Sequence, residues 1–300
     1  MNTPVIRIHV GAHKTATTYI QDTLALNRIA SAAAGTAYWP REQFRKALAK
    51  GLDTEKIRRK TRVPALSRAL TQSRKDAVAG LSQFFATDYN VTISEENLLG
   101  EADNARSGKP YPFARDYLGL LKDALPDRPI EIYLAVRAYP DFISSLFGEA
   151  LKHGHYLWPD HFRSIYSSAQ GVWPEVIASI QDVFPQARLT VWRYEDFGRL
   201  EDELLSRLSG IAPDALIKPA QTDILPSASA GAILEHLEQA QDMNYTDRQM
   251  LMLALQHKHP RSGPDSKFSL WPGDEATKLL EEYKADLEQI KCSGDLEFLK

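Results

Sequence analysis

The sequence predicts an α/β fold, a three-layer sandwich in which helices cover both faces of a central parallel sheet. Short apolar stretches alternate with helical ones along most of the chain, which is typical of such a sheet. Residues 130–136 have the apolar density of a buried parallel strand. The last hundred residues predict a helical C-terminal part. No boundary divides the chain convincingly, so we expect residues 1–300 to form a single domain.

The predicted elements follow from local patterns along the chain. Apolar stretches predict strands at 5–10, 90–94, 130–136 and 186–192. Two prolines and one glycine predict a loop at 259–267. Predicted helices begin near residue 17 and cover 81–89, 117–124, 141–147, 201–208, 228–241, 246–258 and 275–290.

A polar, basic segment at about 32–76 interrupts the alternation. It predicts either a pair of solvated surface helices or a flap over the functional site. Its role remains open at this stage. The basic residues are Arg41, Arg45, Lys46, Lys50, Arg58, Arg59, Lys60 and Arg62.

The turn after the first strand has the composition of a P-loop-like phosphate-binding loop. Gly11 permits a sharp turn, and the residues from Lys14 onward lead into a helix. The first N–H groups of a helix lack intrahelical acceptors and, with the helix dipole, attract anions. The ammonium of Lys14 and the threonine hydroxyls add donors for phosphate, although the threonines alone could simply cap the helix. The predicted binding residues are Gly11, His13, Lys14, Thr15, Ala16, Thr17 and Thr18.

A second anion site is predicted after residues 130–136. Arg137 follows that strand, and Ser145 lies 145 − 137 = 8 residues later, with Pro140 between them. The spacing places the serine about two turns into the next helix, facing the same anion as the arginine fork.

The two motifs together resemble the donor site of the PAPS-dependent sulfotransferase family, bacterial type. Gly11-x-x-Lys14-Thr15-x-Thr17-Thr18 is similar to their 5′-phosphosulfate loop, and Arg137 with Ser145 is similar to their 3′-phosphate site. Many members have glycine where this chain has Ala16. A left-handed backbone there would make alanine cost about 1 kcal/mol, whereas a helical backbone would favour it.

The resemblance implies a transferase that moves a sulfuryl group from 3′-phosphoadenosine 5′-phosphosulfate (PAPS) to a hydroxyl or amine, with no metal. Lys14 would contact the bridging oxygen. Glu96, or else Glu95, would be the general base, because relatives have a catalytic residue at this strand end. Several members place a basic loop over the 3′-phosphate, which makes Arg261 and Lys267 further candidates.

Composition restricts the partners of the protein. A net charge of −3 argues against broad nucleic-acid binding, and no apolar stretch is long enough for a membrane span. The single cysteine and the lack of a signal-peptide pattern predict a cytoplasmic location. The acceptor class and the oligomeric state stay open. A P-loop nucleotide-dependent kinase and a catalytically inactive nucleotide- or partner-binding relative are the alternative functions.

Overall fold

A computed structural model of the protein describes residues 3–60, 63–100, 108–220, 227–263 and 266–300. Its central sheet has six strands in the order β2-β3-β1-β4-β5-β6, and every neighbouring pair is parallel. The predicted α/β fold with a parallel sheet is therefore confirmed. The strands are β1 (Ile6–His9), β2 (Thr36–Tyr38), β3 (Asn90–Ser94), β4 (Ile130–Val136), β5 (Arg188–Arg193) and β6 (Glu297–Phe298).

The four predicted strands all form, and two more lie at the edges of the sheet. β1 is central because Ile6 pairs with Val91 on one side and with Ile130 on the other. β2 and β6 have three and two residues, too few to show a periodic pattern. Neither of these two strands was predicted from the sequence.

Helices cover both faces of the sheet and produce the predicted three layers. Ile132 and Leu134 of β4 belong to the larger core cluster, whereas Tyr133 and Ala135 point to the smaller one. The helices are α1 (Thr17–Leu26), α2 (Arg28–Ala33), α3 (Arg41–Lys60), α4 (Pro64–Ser82), α5 (Ala114–Lys122), α6 (Tyr139–Lys152), α7 (Pro159–Ile165), α8 (Val172–Val183), α9 (Phe197–Ser209), α10 (Ala230–Gln239), α11 (Tyr245–Lys258) and α12 (Gly273–Cys292).

The helix predicted at 81–89 is wrong for most of its length. α4 ends at Ser82, and a single 3₁₀ turn covers Gln83–Phe85 before the chain turns towards β3. α7 and α8 were not predicted.

The basic segment forms β2 and the helical pair α3 and α4, and α4 continues beyond it to Ser82. The pair is not merely a solvated surface, because Phe44 and Leu48 of α3 are buried in the larger core cluster. Several of its arginines are held in ion pairs, such as Arg45 with Glu95 and Arg59 with Asp116. Arg62 lies outside the described residues. Across the described ranges, no helix is both long and apolar enough to cross a bilayer.

Candidate anion-binding site

The candidate site lies beside β1, where the direction in which successive strands are added to the sheet reverses. The chain leaves β1, builds β2 and β3 on one side, and then crosses to β4 on the other side. The carboxyl ends of β1, β3 and β4 consequently meet at one edge, where ligands bind in open α/β sheets. The loop at 10–16, Glu95 and Arg137 each directly follow one of these strands.

The loop after β1 is held by its own threonines. The Thr15 and Thr17 hydroxyls donate to the Ala12 carbonyl at 2.6 and 3.1 Å. A side chain at Gly11 would place its Cβ 2.4 Å from the Thr17 hydroxyl oxygen, so only glycine fits there. These two threonines therefore shape the loop through their hydroxyl groups, and the phosphate-binding role expected for them stays a prediction.

Two residues of the loop have a left-handed backbone, with φ of 64° at Lys14 and 63° at Ala16. Ala16 precedes α1 and provides no side-chain cap, so the first N–H groups of the helix keep their binding capacity. Thr18 lies exposed in the first turn. His13 is held by Tyr111, whose hydroxyl accepts from the His13 N–H at 2.7 Å.

Arg137 is hydrogen-bonded to this loop. Its Nη1 donates to the Lys14 carbonyl at 2.5 Å, which joins the two sequence motifs directly. Its own carbonyl accepts from the Trp173 indole N–H at 2.9 Å. The next residue, Ala138, donates its N–H to Glu195 at 2.8 Å, and the Tyr194 ring lies 4.6 Å from the guanidinium carbon. The segment after β5 thus positions the arginine.

The Arg137 guanidinium is a buried cation that has no direct ion pair with any of the described residues. The residue is only 8% exposed, and no carboxylate of the described residues forms an ion pair with it. Its Nε is buried and has no hydrogen-bond acceptor. Burial lowers the pKa of the guanidinium below its ordinary value. The carboxylates of Asp141 and Glu195 attract the guanidinium from a distance without forming an ion pair with it. A buried charge that lacks a direct ion pair is suited to receive an anion.

Arg137 lines an open cleft of about 590 Å³, which includes solvent space. Lys14 and Ser145 also line the cleft, as do Arg261 and Lys267, the two basic residues expected from the C-terminal loop. Lys267 is held there by Asp141 at 2.6 Å and by a β-bridge to Ser229. Five cationic side chains and one carboxylate line the cleft: Lys14, Arg137, Lys152, Arg261, Lys267 and Glu149.

The two candidate bases differ in accessibility. Glu95 is fully buried, and its carboxylate accepts from Arg45 at 2.8 Å and from the Asn97 N–H at 3.0 Å. Glu96 has a side chain that is 23% exposed and one contact with Arg45, at 3.2 Å. Neither glutamate lines the cleft. Glu96 is the more accessible of the two, and Glu95 anchors α3 through Arg45.

Sequence reasoning missed three residues of the site. Glu149 pairs with the Lys14 ammonium, Trp173 fixes the Arg137 carbonyl, and Tyr111 fixes His13. One signal could have revealed Glu149, which lies one helical turn after Ser145 and so shares its helix face. The other two contacts join segments far apart in the sequence and leave no local pattern.

No protein-family model and no curated protein matches the chain. Among solved structures, the chain is similar to a sulfotransferase from Alicyclobacillus acidocaldarius, with 15% sequence identity and a TM-score of 0.38. The match covers 86% of this chain and 97% of that one. This likeness is distant, so the function is inferred from the residues of the chain itself.

Proposed function

We propose that the protein is a sulfotransferase that moves a sulfuryl group from PAPS to a hydroxyl or amine acceptor. The observation that supports this most is the position of Arg137. Its buried guanidinium has no direct ion pair among the described residues and hydrogen-bonds the carbonyl of Lys14. The two candidate anion-binding groups, Lys14 and Arg137, line the same cleft, which is what a nucleotide with two separate phosphates would require.

In this proposal the 3′-phosphate of the donor binds between Arg137 and Ser145. The guanidinium of the arginine would donate to one phosphate oxygen, and the serine hydroxyl, which also lines the cleft, to another. Arg261 and Lys267 would add positive charge from the C-terminal loop. The 5′-phosphosulfate would bind the Lys14 ammonium and the first N–H groups of α1.

The transfer itself needs charge stabilisation and alignment more than covalent help from the protein. The acceptor oxygen or nitrogen forms a bond to sulfur while the bond from sulfur to the 5′-phosphate oxygen breaks. Lys14 would stabilise the negative charge that develops on the leaving phosphate. Glu96 would take the proton of the acceptor. The acceptor class, whether carbohydrate, lipid headgroup, peptide or small metabolite, remains open.

The P-loop kinase alternative is weaker because of Thr15. A kinase loop uses the hydroxyl after its lysine to bind Mg²⁺. Here that hydroxyl is fully buried and donates to the Ala12 carbonyl. The alternative of an inactive relative would show donor binding without sulfation of any acceptor.

Binding of adenosine 3′,5′-bisphosphate, the product left after transfer, tests the proposal. At a hundredfold excess over Kd we expect about 2.7 kcal/mol of stabilisation, or roughly a 5 °C rise in Tm. Arg137→Ala should abolish most of this rise, because the 3′-phosphate loses charge-assisted hydrogen bonds. Arg137→Lys should keep only part of it, because ammonium cannot replace the planar fork. A differential scanning fluorimetry titration gives all three values.

Arg128→Ala is the matched control. Arg128 is also partly buried and donates to four backbone carbonyls, but it precedes β4 at the opposite edge of the sheet. The Arg128→Ala variant should have a lower Tm than the parent protein without ligand, but its Tm should rise by the full amount when the bisphosphate binds. A bisphosphate response that survives in Arg137→Ala, or a response to ATP alone in the parent protein, would refute the proposed donor site.

A further inference from the structure

Glu149 is an internal anion in an otherwise cationic cleft. It lies in the last turn of α6, and its carboxylate forms an ion pair with the Lys14 ammonium. The His153 ring nitrogen Nε2 lies 3.3 Å from the other carboxylate oxygen. Glu149 and Lys14 have side chains that are only 26% and 21% exposed, so solvent screens this pair incompletely.

The charge state of Glu149 follows from its neighbours. Burial would raise its pKa, but the nearby Lys14, Lys152 and His153 outweigh that effect, and the pKa is lowered overall. The carboxylate is therefore ionised at neutral pH. The Glu149 carboxylate holds the Lys14 ammonium, which the proposed 5′-phosphosulfate also needs. The carboxylate and the 5′-phosphosulfate must therefore compete for Lys14.

We propose that Glu149 determines specificity in the donor site, because it occupies Lys14 until the 5′ anion of a nucleotide displaces it. This inference rests on the proposed function. The competition concerns one end of the cleft only, since Arg137 has no contact with Glu149 in the described residues. Glu149 thus weakens binding through the 5′ group and leaves binding through the 3′-phosphate nearly unchanged.

The displaced carboxylate would not be left unpaired. The His153 ring nitrogen already lies 3.3 Å from it, and Lys152, three residues later in α6, attracts it and lines the same cleft. These neighbours would keep Glu149 in a polar, cationic environment while Lys14 turns to the ligand. This makes the contact a reversible competitor rather than a permanent block.

Binding at the two ends of the cleft can be distinguished with three nucleotides. Isothermal titration calorimetry with adenosine 5′-phosphate, adenosine 3′-phosphate and adenosine 3′,5′-bisphosphate gives each Kd for the full chain and for Glu149→Gln. We expect Glu149→Gln to lower Kd about fivefold for the two nucleotides with a 5′-phosphate, the effect of losing one partly buried ion pair. For adenosine 3′-phosphate the change should be less than about twofold, because that ligand leaves Lys14 with Glu149.

Two controls isolate the effect. Asp141→Asn removes the same charge from the other end of α6, where Asp141 pairs with Lys267. It should not reproduce the gain for adenosine 5′-phosphate. In a Lys14→Ala background, Glu149→Gln should give no gain for any nucleotide.

The results distinguish this inference from the proposed function. Equal gains for the 3′- and 5′-phosphates, the same gain in Asp141→Asn, or no gain with a normally folded Glu149→Gln would overturn the inference and leave the donor site intact. If the parent protein binds none of the three nucleotides, the proposed function fails and the inference fails with it. Circular dichroism and Tm without ligand establish that each variant is folded. Should Glu149→Gln misfold, Glu149→Ala provides the same comparison.

Discussion

Ala16 has a left-handed backbone that glycine adopts without steric cost. Its φ of 63° and ψ of 19° place it in this region immediately before α1. A residue with a side chain loses about 1–2 kcal/mol there, whereas glycine loses up to about 1 kcal/mol more backbone entropy on folding. The difference predicts that Ala16→Gly raises the free energy of unfolding by about 0.5–1 kcal/mol. For a chain of this size, that is a rise in Tm of roughly 2 °C.

Urea denaturation and scanning calorimetry of Ala16→Gly measure this gain. Ala25→Gly is the matched control, because Ala25 is exposed within the right-handed part of the same helix. It should lose about 1 kcal/mol. If Ala16→Gly is neutral or destabilising while Ala25→Gly behaves as expected, the left-handed assignment of Ala16 is refuted, and with it the strained geometry of the loop.

Two further predictions concern groups buried around the site. Arg45→Ala leaves the buried Glu95 carboxylate without its guanidinium and should cost about 2 kcal/mol in urea denaturation, whereas exposed Lys46→Ala should cost nothing measurable. Burial lowers the pKa of His9 to about 3, so below pH 6.5 the unfolded chain binds a proton that the native state refuses. His9 then removes up to about 1.4 kcal/mol of stability per pH unit as the pH falls from 6.5. His9→Gln should flatten this slope between pH 7 and 5, and an unchanged slope would contradict a neutral buried imidazole.

Most strands and helices with a clear pattern of apolar residues could be predicted from the sequence, and those without one could not. β3 and β4 have the predicted limits. In β4 the apolar residues typical of a buried parallel strand occupy every position except Glu131. The amphipathic helix α8 escaped prediction. Pro174 in its first turn resembles a helix breaker, although proline is tolerated at that position. β2 and β6 were missed because their strand character comes only from pairing with the neighbouring strand.

The site was predictable to the extent that it is local in sequence. Lys14 and Arg137 each belong to a strand–loop–helix unit, and the sheet brings the two units together. The partner of Lys14 was harder to predict, because Glu149 lies 135 residues away and its only sequence signal is its position one helical turn after Ser145 on α6. The sequence could not show that the Thr15 hydroxyl donates to the Ala12 carbonyl, since this depends on the turn that the loop takes.

The position of Arg137 would link the proposed ligand binding to the stability of the fold. Trp173 holds its carbonyl, and the Trp173 N–H in turn donates to the Tyr139 hydroxyl at 3.2 Å. Tyr139 contacts Asp286 of α12, which also accepts from the Gly171 N–H at 2.7 Å. This buried network keeps a desolvated cation in place in the absence of any anion, which is unfavourable for the folded state alone. An anion that binds Arg137 removes that penalty, and because the unfolded chain has no such site, the 3′-phosphate should stabilise the protein more than the 5′ group, which must first displace Glu149.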